Sequence, residues 1–222
     1  EILYENISQS DSDLIYGDSI RFFDWDIRFD GLLKSEKAPR QQNFKATSYD
    51  PIAFVCLSGL YTVNVWRFMI RKKYWDNLPF QFIEGYHHED CEFSNKMILL
   101  TREITYVNYV FHYYRQRKDS FSYALIDEKT ITSAVSVVRS LHDFYEHQPF
   151  TTDEKMCYST LISPDILRAV SFYNLYDRYF DKFLEDEIDH TFFHLKASIR
   201  LKHRVMYYLI RLNIKLASSF LR

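Results

Sequence analysis

Carboxylates and imidazoles crowd one short stretch of this chain, Phe82-Ile83-Glu84-Gly85-Tyr86-His87-His88-Glu89-Asp90-Cys91-Glu92-Phe93. Cations and aromatic rings crowd a second, His112-Tyr113-Tyr114-Arg115-Gln116-Arg117-Lys118-Asp119-Ser120. A carboxylate held at a helix start can accept a hydroxyl proton, while nearby guanidinium groups steady a phosphate leaving group. That combination is the chemistry of group transfer. The Glu-Asp pair equally fits plain helix capping, because acidic side chains favour a helix N-terminus.

Other chemistries fit the spacing less well. His87 and His88 are adjacent and point apart on any regular element, and the zinc-binding His-Glu-x-x-His pattern fails because position 92 is Glu. Asp11-Ser12-Asp13 has the Asp-x-Asp form of a divalent-metal motif common in nucleotide-sugar enzymes, but it precedes a strand where that motif follows one. It reads as a helix-to-strand turn. Cys91 has two carboxylates beside it, which disfavour a thiolate. With Cys56 and Cys157 it reads as a structural, reduced thiol of a cytosolic chain.

The elements that must position these groups follow from patterning. A short helix through about Ser10 leads into a strand over residues 14–23, and residues 24–50 are polar and turn-rich, a loop over the site. Residues 51–76 predict a helix, with Trp66, Met69 and Ile70 on one stripe and Arg67, Arg71, Lys72 and Lys73 near its C-terminus, ended by Leu78-Pro79-Phe80. Phe93, Met97 and Leu100 recur at helical spacing through about Arg102, so Glu89 and Asp90 open a helix whose N–H groups hold them ionised and oriented. Residues 104–110 alternate as a strand, and helices alone are predicted from about residue 127, broken near Gln148-Pro149 and Ser163-Pro164.

Four Gly, five Pro and 18% aromatic residues in 222 describe a compact, helix-rich chain with no low-complexity linker. A net charge of -2 and an isoelectric point near 6.5 exclude a surface given over to nucleic acid, which needs clustered Lys and Arg. No signal-peptide pattern and no apolar run of about 18 residues occurs, so the expected place is the cytoplasm or, peripherally, the inner face of the plasma membrane. The chain opens at Glu1 without Met or a helix cap, as though cut from a longer one. Residues 190–222 carry seven Lys or Arg and no Asp or Glu. There Leu201, Val205, Tyr208, Leu209, Leu212, Leu216 and Phe220 form an apolar stripe flanked by Lys202, Arg204, Arg211, Lys215 and Arg222. Such a helix either lies on an anionic membrane or packs inward with a solvated basic face.

The block from Glu84 to Phe93, preceded by Trp66-Arg67-Phe68-Met69-Ile70-Arg71-Lys72 and followed by Tyr113-Tyr114-Arg115 with Ser120, resembles the C-terminal half of a family 2 glycosyltransferase. The resemblance covers roughly residues 1–125. It implies an α/β class: a partial GT-A-like mixed sheet flanked by helices over 1–125, then an all-helical region over 126–222 with a basic amphipathic tail. It also implies a nucleotide-diphospho-sugar donor, Mg²⁺ or Mn²⁺, inversion at the anomeric carbon, and a glycan or lipid-linked glycan acceptor of a bacterial surface polysaccharide such as capsule or lipopolysaccharide.

Carried over residue by residue, Asp90 would take the acceptor proton and Glu89 would orient it. Trp66 would line the acceptor side with His88, while Arg115 and Arg117 would contact the diphosphate or brace the loop beyond. The family's N-terminal half, with its nucleotide-binding strand and metal motif, has no counterpart here. Asp13-Leu14-Ile15-Tyr16 matches the strand after that motif, and His112 stands where an aromatic residue is usual. The metal ligands would then lie mostly outside these residues, which alone are expected to be inactive. Two other readings stand beside this one: a non-catalytic interaction module with a membrane- or partner-binding tail, and a hydrolase using His88 and Asp90.

Overall fold

A computed structural model describes residues 2–23, 45–48, 50–58, 63–117, 126–172, 191–212, 217 and 220–221. In chain order the elements are α1 (Ile2–Ser8), β1 (Leu14–Phe23), β2 (Lys45–Ser48), α2 (Pro51–Ser58), a 3-10 turn (Val65–Arg67), β3 (Phe68–Ile70), α3 (Lys72–Asp76), α4 (Glu89–Leu100), β4 (Ile104–Gln116), α5 (Glu128–Glu146), α6 (Thr152–Ser171), α7 (Phe193–Ala197) and α8 (Leu201–Leu212). The class is mixed α/β. Two compact units share the chain: residues 1–51, 64–79 and 101–125 form one, and residues 52–63, 80–100 and 126–222 the other.

The first unit is built on a four-stranded mixed sheet of order β2-β4-β1-β3. β1 and β4 run parallel from Leu14↔Ile104 to Phe23↔Gln116, while β3 and β2 pair antiparallel with β1 and β4 respectively. Leu14, Ile15 and Tyr16 are fully buried, as a strand with neighbours on both edges and covered faces should be. Ile15 and Val107 pack with Leu3 and Ile7 of α1. Tyr16 meets Phe68 and Tyr106 at ring separations of 5.7 and 5.3 Å. The register shifts at Gly17/Asp18 and at Asp18/Ser19, and there the chains approach closely: a Cβ on Gly17 would lie 2.9 Å from the Tyr109 carbonyl oxygen.

The helix expected over 51–76 forms in part, over Pro51–Ser58 and Lys72–Asp76, while Phe68-Met69-Ile70 instead pairs with Tyr16-Ile15-Leu14. The arginines explain the override of local pattern. Arg67 Nε donates to the Gly17 carbonyl at 2.8 Å and its Nη2 to Asp18 Oδ1 at 3.0 Å. Arg71 donates through Nε to the Ser12 carbonyl (3.0 Å) and through Nη2 to those of Ile7 (2.8 Å) and Ser10 (2.6 Å). It thereby satisfies the Ile7 carbonyl at the C-terminal end of α1, which a helix leaves unpaired, and two carbonyls of the turn after it.

The strand expected over 104–110 runs on to Gln116, so Tyr113, Tyr114 and Arg115 lie within β4. Of the loop expected over 24–50, residues 45–48 form β2, and 24–44 and 49 lie outside the described residues. Asp13 ends the predicted helix-to-strand turn. It is buried, and its carboxylate accepts the Arg102 backbone N–H (3.0 Å), Nε–H (3.1 Å) and Nη2–H (2.9 Å). Burial alone would raise its pKa, but the Arg102 hydrogen bonds outweigh that and hold it below the ordinary carboxylate value.

The second unit is helical. Asp127 caps α5 by accepting the Thr130 N–H at 2.8 Å. Thr151 and Glu154 form a reciprocal capping box on α6. Val137, Leu141 and Tyr145 of α5 pack against Tyr158, Ile162 and Ile166 of α6, with Phe192, Leu195 and Ile210 joining the same core. The break expected at Ser163-Pro164 does not occur: α6 passes through Pro164. The proline ring is exposed, and the Ser163 and Thr160 hydroxyls turn inward to the Ser159 and Met156 carbonyls at 2.6 and 2.9 Å, so hydroxyls supplement the backbone ladder around the proline.

Candidate functional site around the start of helix α4

The turn before α4 is set by two left-handed residues, Gly85 (φ 79°) and His88 (φ 63°). Glycine adopts this conformation freely; a histidine there is strained. The turn is pinned to the first turns of α5, where His87 N–H donates to Ser133 Oγ at 3.0 Å and His87 Nδ1 lies 3.1 Å from Thr130 Oγ1. His88 occupies the position before the helix, and its carbonyl accepts the Cys91 N–H at 3.1 Å. Burial, the Arg168 charge and His87 lower its pKa to about 4, so its imidazole is neutral near pH 7. The buried Nε2 has no hydrogen-bond partner among the described residues.

Asp90 Oδ1 accepts the Cys91 N–H at 2.9 Å, which orients the carboxylate across the first turn. Burial, then the charge of Glu89, pushes its pKa above the ordinary value; the Cys91 hydrogen bond and Arg168 pull the other way and lose. Desolvation thus opposes the helix start, which by itself favours the ionised form. A carboxylate shifted upward is a stronger base. Glu89 beside it is exposed.

Three further polar groups from α4 and α6 complete the cluster. Arg168 Nη1 lies 3.2 Å from Cys91 Sγ and donates to Asp165 Oδ1 at 3.2 Å, while Asn95 Nδ2 donates to Asp165 Oδ2 at 3.2 Å. Sequence reading missed Arg168, Asp165 and Asn95. Their one signal is the i,i+3 pairing of Asp165 with Arg168, ordinary for any helix. Burial first, then the Asp165 charge, pushes the Cys91 thiol far up, which keeps it an inert packing group.

A cleft of about 530 Å³ opens in the same unit, lined among others by Tyr86, Lys96, Ser136, Arg139, Asp143 and Phe144. Lys96 is its fixed point. The ammonium pairs with buried Glu92, donates to Ser140 Oγ at 2.8 Å and lies 5.4 Å from the centre of the Phe144 ring. Ser140 Oγ in turn donates to Glu92 Oε1 at 2.8 Å.

Trp66, Arg115 and Arg117 belong to the sheet unit. Trp66 is half-buried, stacked on Tyr114 at 5.2 Å and tilted against His112 at 4.4 Å, so His112 serves as an aromatic surface. Arg115 and Arg117 are exposed at the end of β4, and Lys118 to Ser120 lie outside the described residues. Among the described residues no group of three or more His, Cys, Asp or Glu is arranged to hold a metal ion, and both Asp13 oxygens are committed to Arg102. The donor set among the described residues does not by itself fit Mg²⁺ or Mn²⁺. No family model matches the chain, and no curated protein matches it.

Proposed function

We propose that this chain carries the acceptor side of an inverting glycosyltransferase of the family 2 type. The observation that supports it best is Asp90, oriented by a backbone N–H at the start of α4 and made more basic by burial. In the reaction, Asp90 takes the proton of an acceptor hydroxyl as that oxygen attacks the anomeric carbon. The bond from that carbon to the phosphate oxygen breaks on the opposite face, and the nucleoside diphosphate departs with the electron pair. Glu89 raises the basicity of Asp90 by like-charge repulsion. By the resemblance His88, its imidazole neutral, would contact the acceptor.

Arg115 and Arg117 are assigned to the diphosphate, and the Trp66–Tyr114–His112 stack to the face of a sugar ring. The cleft around Tyr86 and Lys96 suits a further sugar of a glycan or lipid-linked glycan, since it combines aromatic faces with hydroxyl and charged partners. The donor nucleotide and a divalent cation are assigned to residues beyond these 222.

The test is a transfer assay with a panel of nucleotide-diphospho-sugars and Mn²⁺ or Mg²⁺, on this chain and on a form extended at its N-terminus, alongside calorimetric donor binding. Activity or binding confined to the extended form supports the reading. In the active form, Asp90→Asn lowers turnover by about 10² to 10⁴ while thermal unfolding is unchanged. Undiminished turnover in that variant sinks the role of Asp90, and donor binding by neither form leaves the interaction module, which the exposed apolar face of α8 favours.

A further inference from the structure

α8 has two apolar faces, and only one of them is used by the fold. His203 and Ile210 are buried, and Met206 and Tyr207 pack against the core, so residues 203, 206, 207 and 210 form the inward face. Leu201, Val205, Tyr208 and Leu212 are exposed by 67, 48, 57 and 81%. At about 100° per residue these four fall on one narrow stripe opposite the inward face. Lys202 lies on one flank and Arg204 and Arg211 on the other, all exposed. Leu209, expected on the stripe, is partly buried against the core instead. Phe220 is 69% exposed; Lys215, Leu216 and Arg222 lie outside the described residues.

We propose that this outward stripe is a docking surface for an anionic lipid bilayer, with the helix lying in the plane of the interface. An inward-packed helix with a solvated basic face would show its cations outward and its apolar residues inward. α8 shows its apolar residues outward as well, rimmed by cations, in a segment from 190 to 222 that lacks any Asp or Glu. The rim selects negative charge and the stripe selects hydrocarbon, a pairing that an anionic headgroup layer over acyl chains supplies. Tyr208 has the amphipathic form favoured at that boundary. No helix among the described residues is long and apolar enough to cross a membrane, so the contact is superficial.

Flotation of the full chain with vesicles of phosphatidylcholine, alone or mixed equally with phosphatidylglycerol, tests this. The chain should float with the anionic vesicles and stay behind with the neutral ones, and high salt should weaken binding. Combined Leu201→Ser, Tyr208→Ser and Leu212→Ser should lower the bound fraction at least tenfold. The single change Leu212→Glu, at the most exposed position, gives the same direction without risk to folding. Failure of the wild type to float overturns the proposal, as does equal binding by a folded variant. A concentration-dependent dimer in sedimentation, abolished by the serine changes and indifferent to lipid, would show a second copy as the occupant.

Discussion

Asp90 and His88 are neighbours whose environments push them toward one protonation pattern: burial lifts the carboxyl and depresses the imidazole. Both shifts favour the less charged form, as removal from water requires. His88 also bears a conformational cost, since a left-handed residue other than glycine is disfavoured by roughly 1–2 kcal/mol. Replacing it with glycine removes that cost but adds conformational freedom to the unfolded chain, which offsets part of the gain. His88→Gly should therefore raise the unfolding free energy by up to about 1 kcal/mol, read from urea melts. Loss of stability in that variant would mean the imidazole contributes packing that outweighs the strain. The acid and imidazole block was legible because its members are consecutive in sequence. Arg168 and Asp165 were not, being seventy-odd positions away and looking like any solvated helical pair.

The helices with regular apolar spacing, such as α4 with Phe93 and Met97 inward, announced themselves, and their caps at Asp127 and Thr151 follow ordinary side-chain chemistry. The stretch from 63 to 71 did not, because what decides its fate is Arg71 reaching three carbonyls of α1 and the turn after it, contacts invisible to local periodicity. Arg71→Met should cost about 3 kcal/mol, since charge-assisted hydrogen bonds are lost and carbonyls are left unpaired. Guanidinium melts check the figure, and a change under about 0.5 kcal/mol would show that water replaces the arginine.

α6 and the helices after it are joined by buried polar pairs. Ser159 Oγ lies 2.9 Å from His194 Nδ1, and Ser198 Oγ lies 2.8 Å from His203 Nδ1. Burial lowers these histidines to about 3 and 4, from an ordinary 6.5. The unfolded chain takes up their protons as pH falls below 6.5 while the folded one does not. Their contribution to stability is thus complete above pH 6.5 and lost on acidification toward the folded values, at up to about 1.4 kcal/mol per pH unit for each. Urea midpoints measured between neutral pH and about pH 4 should fall accordingly. His194→Gln should start lower and fall less steeply; parallel curves would rule His194 out.

At the scale of the whole chain, strands near 14–23 and 104–110 and helices after about 127 were foreseeable from patterning, while the α/β class was what the resemblance implied. The interleaving of two compact units was not, since it depends on which distant segments pair. The sheet order illustrates the difficulty: β1 and β4 are each recognisable as strands, yet nothing local says that they are partners or that they run parallel. Their pairing also has a consequence in time. Leu14 finds its partner at Ile104, ninety positions later in the chain. At roughly 5 to 20 residues per second, a ribosome needs about 5 to 20 seconds to deliver β4 after β1 has emerged. For that interval β1, whose Leu14, Ile15 and Tyr16 end fully buried, waits with one edge open, so slowed translation should leave the nascent chain exposed to aggregation for longer and more dependent on shielding by chaperones.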